Sequence, residues 1–428
     1  MTKSILKNSI LFCFEPSIGQ NGLSEKTFNT TLLHGEKFLK KWQNQKDFPL
    51  FRSTHEDLFS NDLQHAQEKL SKFEEILVLG TGGSSLGGQT LQALSKNDKR
   101  NLVFLDNIDP FTIEKAYQRD WSKTGIIVIS KSGETAETLL QFLIALKSMR
   151  KDLSDLKISD HLVVLTEPKP SSLSKLADYF NCPILPHDQN IGGRYAVLSN
   201  VGLLPAILMG LDVSQLQKGA QDTLDDFMKA DHLHDIPSLT GAALHYAFLE
   251  KGINQTVFMP YIDRCERLSA WHSQLWAESL GKNNKGLTPI RSIGAVDQHS
   301  QLQLFLDGPK NKFFTLLCAE QKGLGAKPDQ NLGFTENLKS LSKHSLGNLM
   351  EAEQKATYET LAQNGCPVRL ISFDSYNEEV LGSLLMHFML ETILMAEYLD
   401  VNAFDQPAVE QGKILAQHYL KQNENIAA

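Results

Sequence analysis

Apolar residues follow two alternating spacings along the chain. Short runs rich in aliphatic and β-branched residues at 76–79, 102–105, 126–129 and 162–165 read as buried strands. Between them lie helix-period stretches. One runs from the glycines after Leu79 to about Leu94, one starts near Pro110, and one carries Leu139, Leu140, Leu143, Ile144 and Leu146. Another spans 171–179. Strand–helix alternation predicts an open parallel sheet with helices on both faces. Helical patterns follow at 195–211, 215–227 and 238–249, then a second alternating series. Its predicted strands are 256–259, 313–318 and 367–373, and its helices 264–280, 345–363 and 378–398. The pattern therefore predicts an α/β chain with two doubly wound parallel-sheet domains. These span 51–211 and 212–400, after an N-terminal helical segment (1–50, with a helix at 27–42). A C-terminal helical tail (401–428) opens near Pro407.

The stretch 125–149 organises the first domain. A strand runs into Ser130-Lys131-Ser132-Gly133-Glu134-Thr135, and a helix follows. The first N–H groups of a helix lack intrahelical partners and its dipole is positive there, so this turn is suited to an anion. Ser and Thr at such a place also serve simply as caps. A second loop, Gly80-Thr81-Gly82-Gly83-Ser84-Ser85, leaves the end of another strand, and its glycines allow a ligand close to the backbone. Loops of this kind meet at the carboxyl edge of an open sheet, where ligands bind. A dinucleotide fingerprint is the alternative, with Asp106 as the ribose-binding acid, but Ser85 stands where a third glycine belongs. No Gly-Lys-Ser/Thr follows the loop, which excludes a Walker A site.

Composition narrows the class. The chain has 428 residues, 41% hydrophobic and 21% charged, which suits a globular protein of two or more domains. A net charge of −8 without any Lys/Arg block argues against a nucleic-acid surface. The five cysteines include no CxxC pair, which fits a reducing compartment and argues against structural zinc. No 18-residue apolar run and no signal-peptide pattern is present, so the expected location is the cytoplasm.

Further along, Gly192-Gly193-Arg194 places an arginine after two flexible residues, or is a plain surface turn. Glu278 sits near the end of a helix, the unfavourable end of the dipole, and is by default solvated. Its neighbours Trp271, Leu275 and Trp276 suggest partial burial, where a carboxyl becomes a more useful base. His299 precedes an apolar stretch, and Lys413 falls in the C-terminal helix. None of these is decisive alone.

Together, six ordered segments resemble the glucose-6-phosphate isomerase family over about residues 75–415. They are GTGGSSLG (80–87), SKSGETAET (130–138), GGRYAVLSNVGL (192–203), QLWAESLGK (274–282), QHSQLQLFLDG (298–308) and FDQPAVEQGK (404–413). The family usually has an acidic residue at the position of Ser85, an asparagine at that of Leu280, and a threonine-rich or glycine-containing turn at 132–134. The resemblance implies two sugar-isomerase (SIS-type, flavodoxin-like) domains and no cofactor or metal. It places phosphate contacts on Gly83, Ser84, Ser130, Lys131, Ser132 and Thr135. Glu278 takes the place of the base that moves a proton between C1 and C2 through a cis-enediol. Arg194 takes that of the oxyanion stabiliser, His299 and Lys413 those of the ring-opening pair, and Gln274 and Gln406 those of sugar-lining glutamines. It further implies a homodimer in which His299 comes from the neighbouring subunit. The rivals are an isomerase that also accepts mannose 6-phosphate, a sugar-phosphate-binding regulator without turnover, and a dehydrogenase. A regulator would lack the base and the ring-opening groups, and Glu278, His299 and Lys413 are all present.

Overall fold

The computed structural model describes residues 5–55, 60–95 and 100–427. Its strands among these residues are β1 (Lys7–Ser9), β2 (Glu75–Leu79), β3 (Asn101–Leu105), β4 (Thr124–Ile129), β5 (Leu162–Thr166), β6 (Ile184–Pro186), β7 (Gln255–Pro260), β8 (Thr288–Arg291), β9 (Lys312–Ala319) and β10 (Val368–Phe373). They form two five-stranded sheets, β3-β2-β4-β5-β6 and β8-β7-β9-β10-β1. The first is parallel throughout. The second is parallel except at β1, which runs antiparallel to β10.

Counted in chain order within each sheet, the first reads 2-1-3-4-5 and the second repeats 2-1-3-4 before β1 closes its edge. The two predicted doubly wound sheets are therefore present and share one winding. In each, the order reverses at one place, between β2 and β4 and between β7 and β9. Loops leaving the carboxyl ends of strands part there and open a crevice. The strands predicted from apolar runs all form. β4 is buried at every residue and β2 at four of five, because helices cover both faces. The strands absent from the sequence reading are β1 (KNS), β6 (ILP) and β8 (TPIR), all at sheet edges. An edge strand has one partner and tolerates polar residues and proline, and these three leave no apolar run, unlike the edge strand β3.

The stretch before residue 50 contributes the expected helix (Glu25–Gln43) and also β1, and both join the second half of the chain. The helix packs on Pro237–Glu250. The expected 195–211 helix begins as a 3-10 segment, Gly193–Leu198, and becomes α-helical at Asn200–Leu208. Helix Glu378–Leu399 is long and apolar enough to cross a membrane, but it is enclosed by the helices Val213–Lys229, Pro237–Glu250 and Glu266–Leu280. A helix that is apolar on all sides is a core helix in this setting.

One ion pair lies inside that core. Arg369 donates to both oxygens of Glu391, at 2.9 and 2.7 Å, and its Nε to Thr315 Oγ1. Gly241 makes room for the pair, since a Cβ there would meet Arg369 at 2.2 Å and Glu391 at 2.3 Å. Burial alone would push the Glu391 carboxyl up. Arg369 and the neighbouring histidines His245 and His387 reverse this and hold it well below the usual carboxylate range. A depressed folded-state pKa contributes stability above the unfolded value that is lost as pH falls. Glu391→Gln strands a buried guanidinium and is expected to cost about 3–5 kcal/mol at neutral pH. Denaturant midpoints measure this, and the gap between variant and natural chain should narrow toward acid pH.

Candidate active site

The two loops expected to hold an anion leave β2 and β4, the pair at the first sheet's reversal point. They touch: a Cβ on Gly80 would lie 3.1 Å from the carbonyl of Ile129. Gly82 needs its glycine for a φ of +55°. Gly83 needs its own for a different reason, since an added Cβ would meet Gly193 C at 2.1 Å and Arg194 N at 2.5 Å. The loop after β2 is thus pressed against the backbone that delivers Arg194. In the turn after β4, Thr135 occupies the cap position of helix Ala136–Met149, yet its side chain makes no cap hydrogen bond. Its hydroxyl pairs with Ser130 Oγ at 2.9 Å instead, and Ser130 Oγ also accepts from Gly133 N. The simple capping reading therefore does not hold for Thr135, and the helix's first N–H groups have no acceptor from that side chain. Ser132 is exposed and its Oγ accepts from Glu134 N. Ser84 ends the short 3-10 turn Gly82–Ser84.

The Lys131 ammonium points elsewhere. It donates to the carbonyls of Gln189 (2.8 Å) and Ile191 (3.1 Å), with Glu167 at 3.7 Å. Burial pushes its pKa down, and Glu167 and Asp188 offset part of this. Its side chain ties the anion turn to the segment leading into Gly192-Gly193-Arg194. Asp106, the acid of the dinucleotide alternative, accepts from Gln89 at 2.6 Å, and Gln89 also holds Ser85.

Arg194 is 3% exposed and spends all five of its N–H donors on the protein. Nε bonds Ser279 Oγ (2.9 Å), one terminal nitrogen bonds Glu278 Oε2 (3.1 Å) and Gln406 Oε1 (2.8 Å), and the other bonds the carbonyls of Ala403 (2.7 Å) and Asp405 (3.0 Å). Gln274, one turn before Glu278 on helix Glu266–Leu280, donates to Glu278 Oε1 at 2.9 Å. The same amide nitrogen lies 2.9 Å from where a Cβ on Gly82 would be. Glu278 is thus fixed at both oxygens beside the first anion loop, with a third of its side chain still accessible. Trp271, Leu275 and Trp276 are buried on the helix face behind it.

Arg194, Glu278, Gln274, Gln406 and Gly83 are therefore brought together, and Ser130 and Thr135 lie on the adjoining strand's loop. His299 and Lys413 are not joined to them in this chain. His299 is exposed and its ring makes no hydrogen bond among the described residues. Lys413 is exposed and pairs with Glu410 at 2.6 Å. The sequence reading missed Ser279, Tyr195, Ala403, Asp405 and Lys282. Tyr195 OH meets Ser279 Oγ at 3.0 Å, and Lys282 pairs with Asp405 at 3.1 Å. All five lie within or one residue outside the segments quoted for the resemblance. Among the described residues no group of three His, Cys, Asp or Glu side chains is placed to hold a metal ion.

Two adjoining loops at a sheet reversal and a carboxylate locked beside them form the candidate site on a double flavodoxin-like fold. The phosphoglucose isomerase family profile matches residues 51–308. A probable glucose-6-phosphate isomerase of Haloquadratum walsbyi is 34% identical over 98% of this chain and 96% of its own length. The glucose-6-phosphate isomerase of Carboxydothermus hydrogenoformans is 35% identical over 81% of this chain and 79% of its own. The crystal structure of a glucose-6-phosphate isomerase from Chlamydia trachomatis shares the fold, with a TM-score of 0.80, 20% identity, and coverage of 99% of this chain and 90% of that one. The chain belongs to the phosphoglucose isomerase family.

Gly83→Ala is expected to force the loop after β2 away from Gly193 and weaken inorganic phosphate binding by about tenfold, ~1.4 kcal/mol. Gly192→Ala, whose Cβ would meet only the Tyr195 ring at 3.7 Å, should bind as the natural chain does. Titration calorimetry with phosphate separates the two.

Proposed function

We propose that this protein interconverts glucose 6-phosphate and fructose 6-phosphate by proton transfer within the sugar. The observation that carries the reading is the Glu278 carboxylate, held between Arg194 and Gln274 beside Gly82. The phosphate is taken by Gly83, Ser84, Ser130, Ser132 and Thr135, with hydroxyl and N–H donors at the start of helix Ala136–Met149. Lys131 serves this turn by anchoring the 189–191 backbone. With the ester end fixed, the open-chain sugar presents C1 and C2 to Glu278. The carboxylate removes the C2 proton, the electron pair moves to the carbonyl at C1, and a cis-enediolate forms. Return of the proton to C1, with transfer of the hydroxyl proton from O2 to O1, yields the ketose. Electrons stay within the substrate, so the step balances without a redox partner. Arg194 has no unused N–H donor, and it therefore stabilises the enediolate by its fixed, buried charge. Gln274 and Gln406 line the sugar.

His299 and Lys413 fit the ring-opening step, in which protons move at the ring oxygen and the C1 hydroxyl. Both sit on the surface of this chain, which supports a homodimer whose second subunit brings His299 to the site. The tail supports it too. Residues 406–422 are all exposed, including the apolar Ile414, Leu415, Tyr419 and Leu420. A face of that kind calls for a cover. All five cysteines are free and buried, in keeping with a reducing compartment such as the cytoplasm.

A coupled assay for fructose 6-phosphate formation, with mannose 6-phosphate as control, tests the reading directly. Glu278→Gln is expected to lower kcat by about 10²–10⁴-fold and to abolish exchange of solvent deuterium into C2 while phosphate binding persists. Turnover equal to the natural chain would remove Glu278 as the base. Mixing inactive His299→Ala and Glu278→Gln subunits should restore activity, because each mixed dimer assembles one intact site. Mixtures as inactive as either variant alone would place His299 outside the partner's site.

A further inference from the structure

Helix Glu266–Leu280 ends at Gly281, and Lys282 follows. The Lys282 side chain is 11% exposed although it carries a charge. Its ammonium donates to the carbonyl of Ser279 (2.9 Å) and to that of Asn402, and pairs with Asp405 Oδ1 at 3.1 Å. An ammonium has three donors, and these partners take all of them. The Ser279 carbonyl is among the last in the helix, which have no intrahelical donor, and a cation is favoured there by the dipole. The other partners belong to the tail segment 402–406. That segment also supplies Arg194 with the Ala403 and Asp405 carbonyls and the Gln406 side chain. Two cations, Arg194 and Lys282, thus hold one five-residue segment, and both are anchored at Ser279, one on its hydroxyl and one on its carbonyl.

We infer that Lys282 is a positioning residue for the isomerisation. By fastening the segment 402–406 to the end of the helix that carries Glu278, it fixes the acceptors that aim Arg194 at the carboxylate, and it sets the start of the tail that carries Lys413. The inference rests on the proposed reaction. A cleft of about 780 Å³ opens beside the clamp, lined by Glu278, Lys282, Asp405, Gln406 and Val409 among others. Without the clamp, the tail has space to move into. The phosphate loops at 80–85 and 130–135 lie on other elements, so loosening the tail leaves phosphate contacts in place.

The test compares Lys282→Met and Lys282→Arg with the natural chain. Hydrogen–deuterium exchange over 402–409, measured without substrate, reads the clamp itself. Steady-state kinetics with glucose 6-phosphate, together with inhibition by inorganic phosphate, reads its consequence. Lys282→Met should exchange faster over 402–409 and lose about 10- to 100-fold in kcat, with the phosphate inhibition constant unchanged. Lys282→Arg keeps the charge and the donors and should recover much of that kcat. Unchanged exchange in Lys282→Met overturns the clamp. Faster exchange with undiminished kcat overturns the positioning role. A parallel loss of kcat and phosphate inhibition that arginine does not rescue marks a general structural role and also overturns it. If the natural chain bound phosphate but did not turn over the sugar, the proposed function would fail, while the exchange data would still decide on the clamp.

Discussion

The site depends on one saturated guanidinium. Arg194 is buried, and desolvating a charge is costly unless every donor finds a partner. Its five donors reach two separate stretches of chain: Glu278 and Ser279 on helix Glu266–Leu280, and Ala403, Asp405 and Gln406 on the tail. The arginine itself comes from the segment that follows the first sheet. One side chain therefore joins the first half of the molecule, the second half and the C-terminus. A lysine, with three donors on a flexible stem, could not satisfy these acceptors.

This constraint explains the glycines around it. Arg194 can sit where it does only if the backbone at Gly193 approaches Gly83 closely enough to exclude any side chain there. The loop after β2 and the turn after β4 are adjacent because the first sheet reverses its order between these strands. Lys131 adds a further link by holding the carbonyls of residues 189 and 191. The two loops, the arginine and the carboxylate are thus mechanically continuous. Under the proposed function, gripping the phosphate end would fix where the sugar's reactive carbons lie, which is how binding remote from the chemistry contributes to rate.

Much of this was legible in the chain, for identifiable reasons. Central strands such as β4 and β9 are buried on both faces and leave predominantly apolar runs. The edge strands β1, β6 and β8 do not, and pattern reading passes over them. The residues of the carboxylate cluster stand in segments whose resemblance to a family gave them roles. Their partners were harder to foresee. Ala403 and Asp405 act through main-chain carbonyls, which carry no residue-specific signal. Lys131 reads as a phosphate ligand by its place in the turn, and only the fold reveals that its ammonium is engaged by Gln189 and Ile191. Thr135 reads equally well as a cap, and its bond to Ser130 decides between the alternatives.

The measurement that bears most directly on this account is the kinetics of Arg194→Lys with glucose 6-phosphate, alongside inhibition by inorganic phosphate. If the guanidinium organises Glu278 and the tail, kcat falls by about 10²–10³-fold, in the range expected for a lost preorganised electrostatic group, while phosphate still inhibits as before. Turnover and inhibition both matching the natural chain would contradict it, as would an equal loss in both.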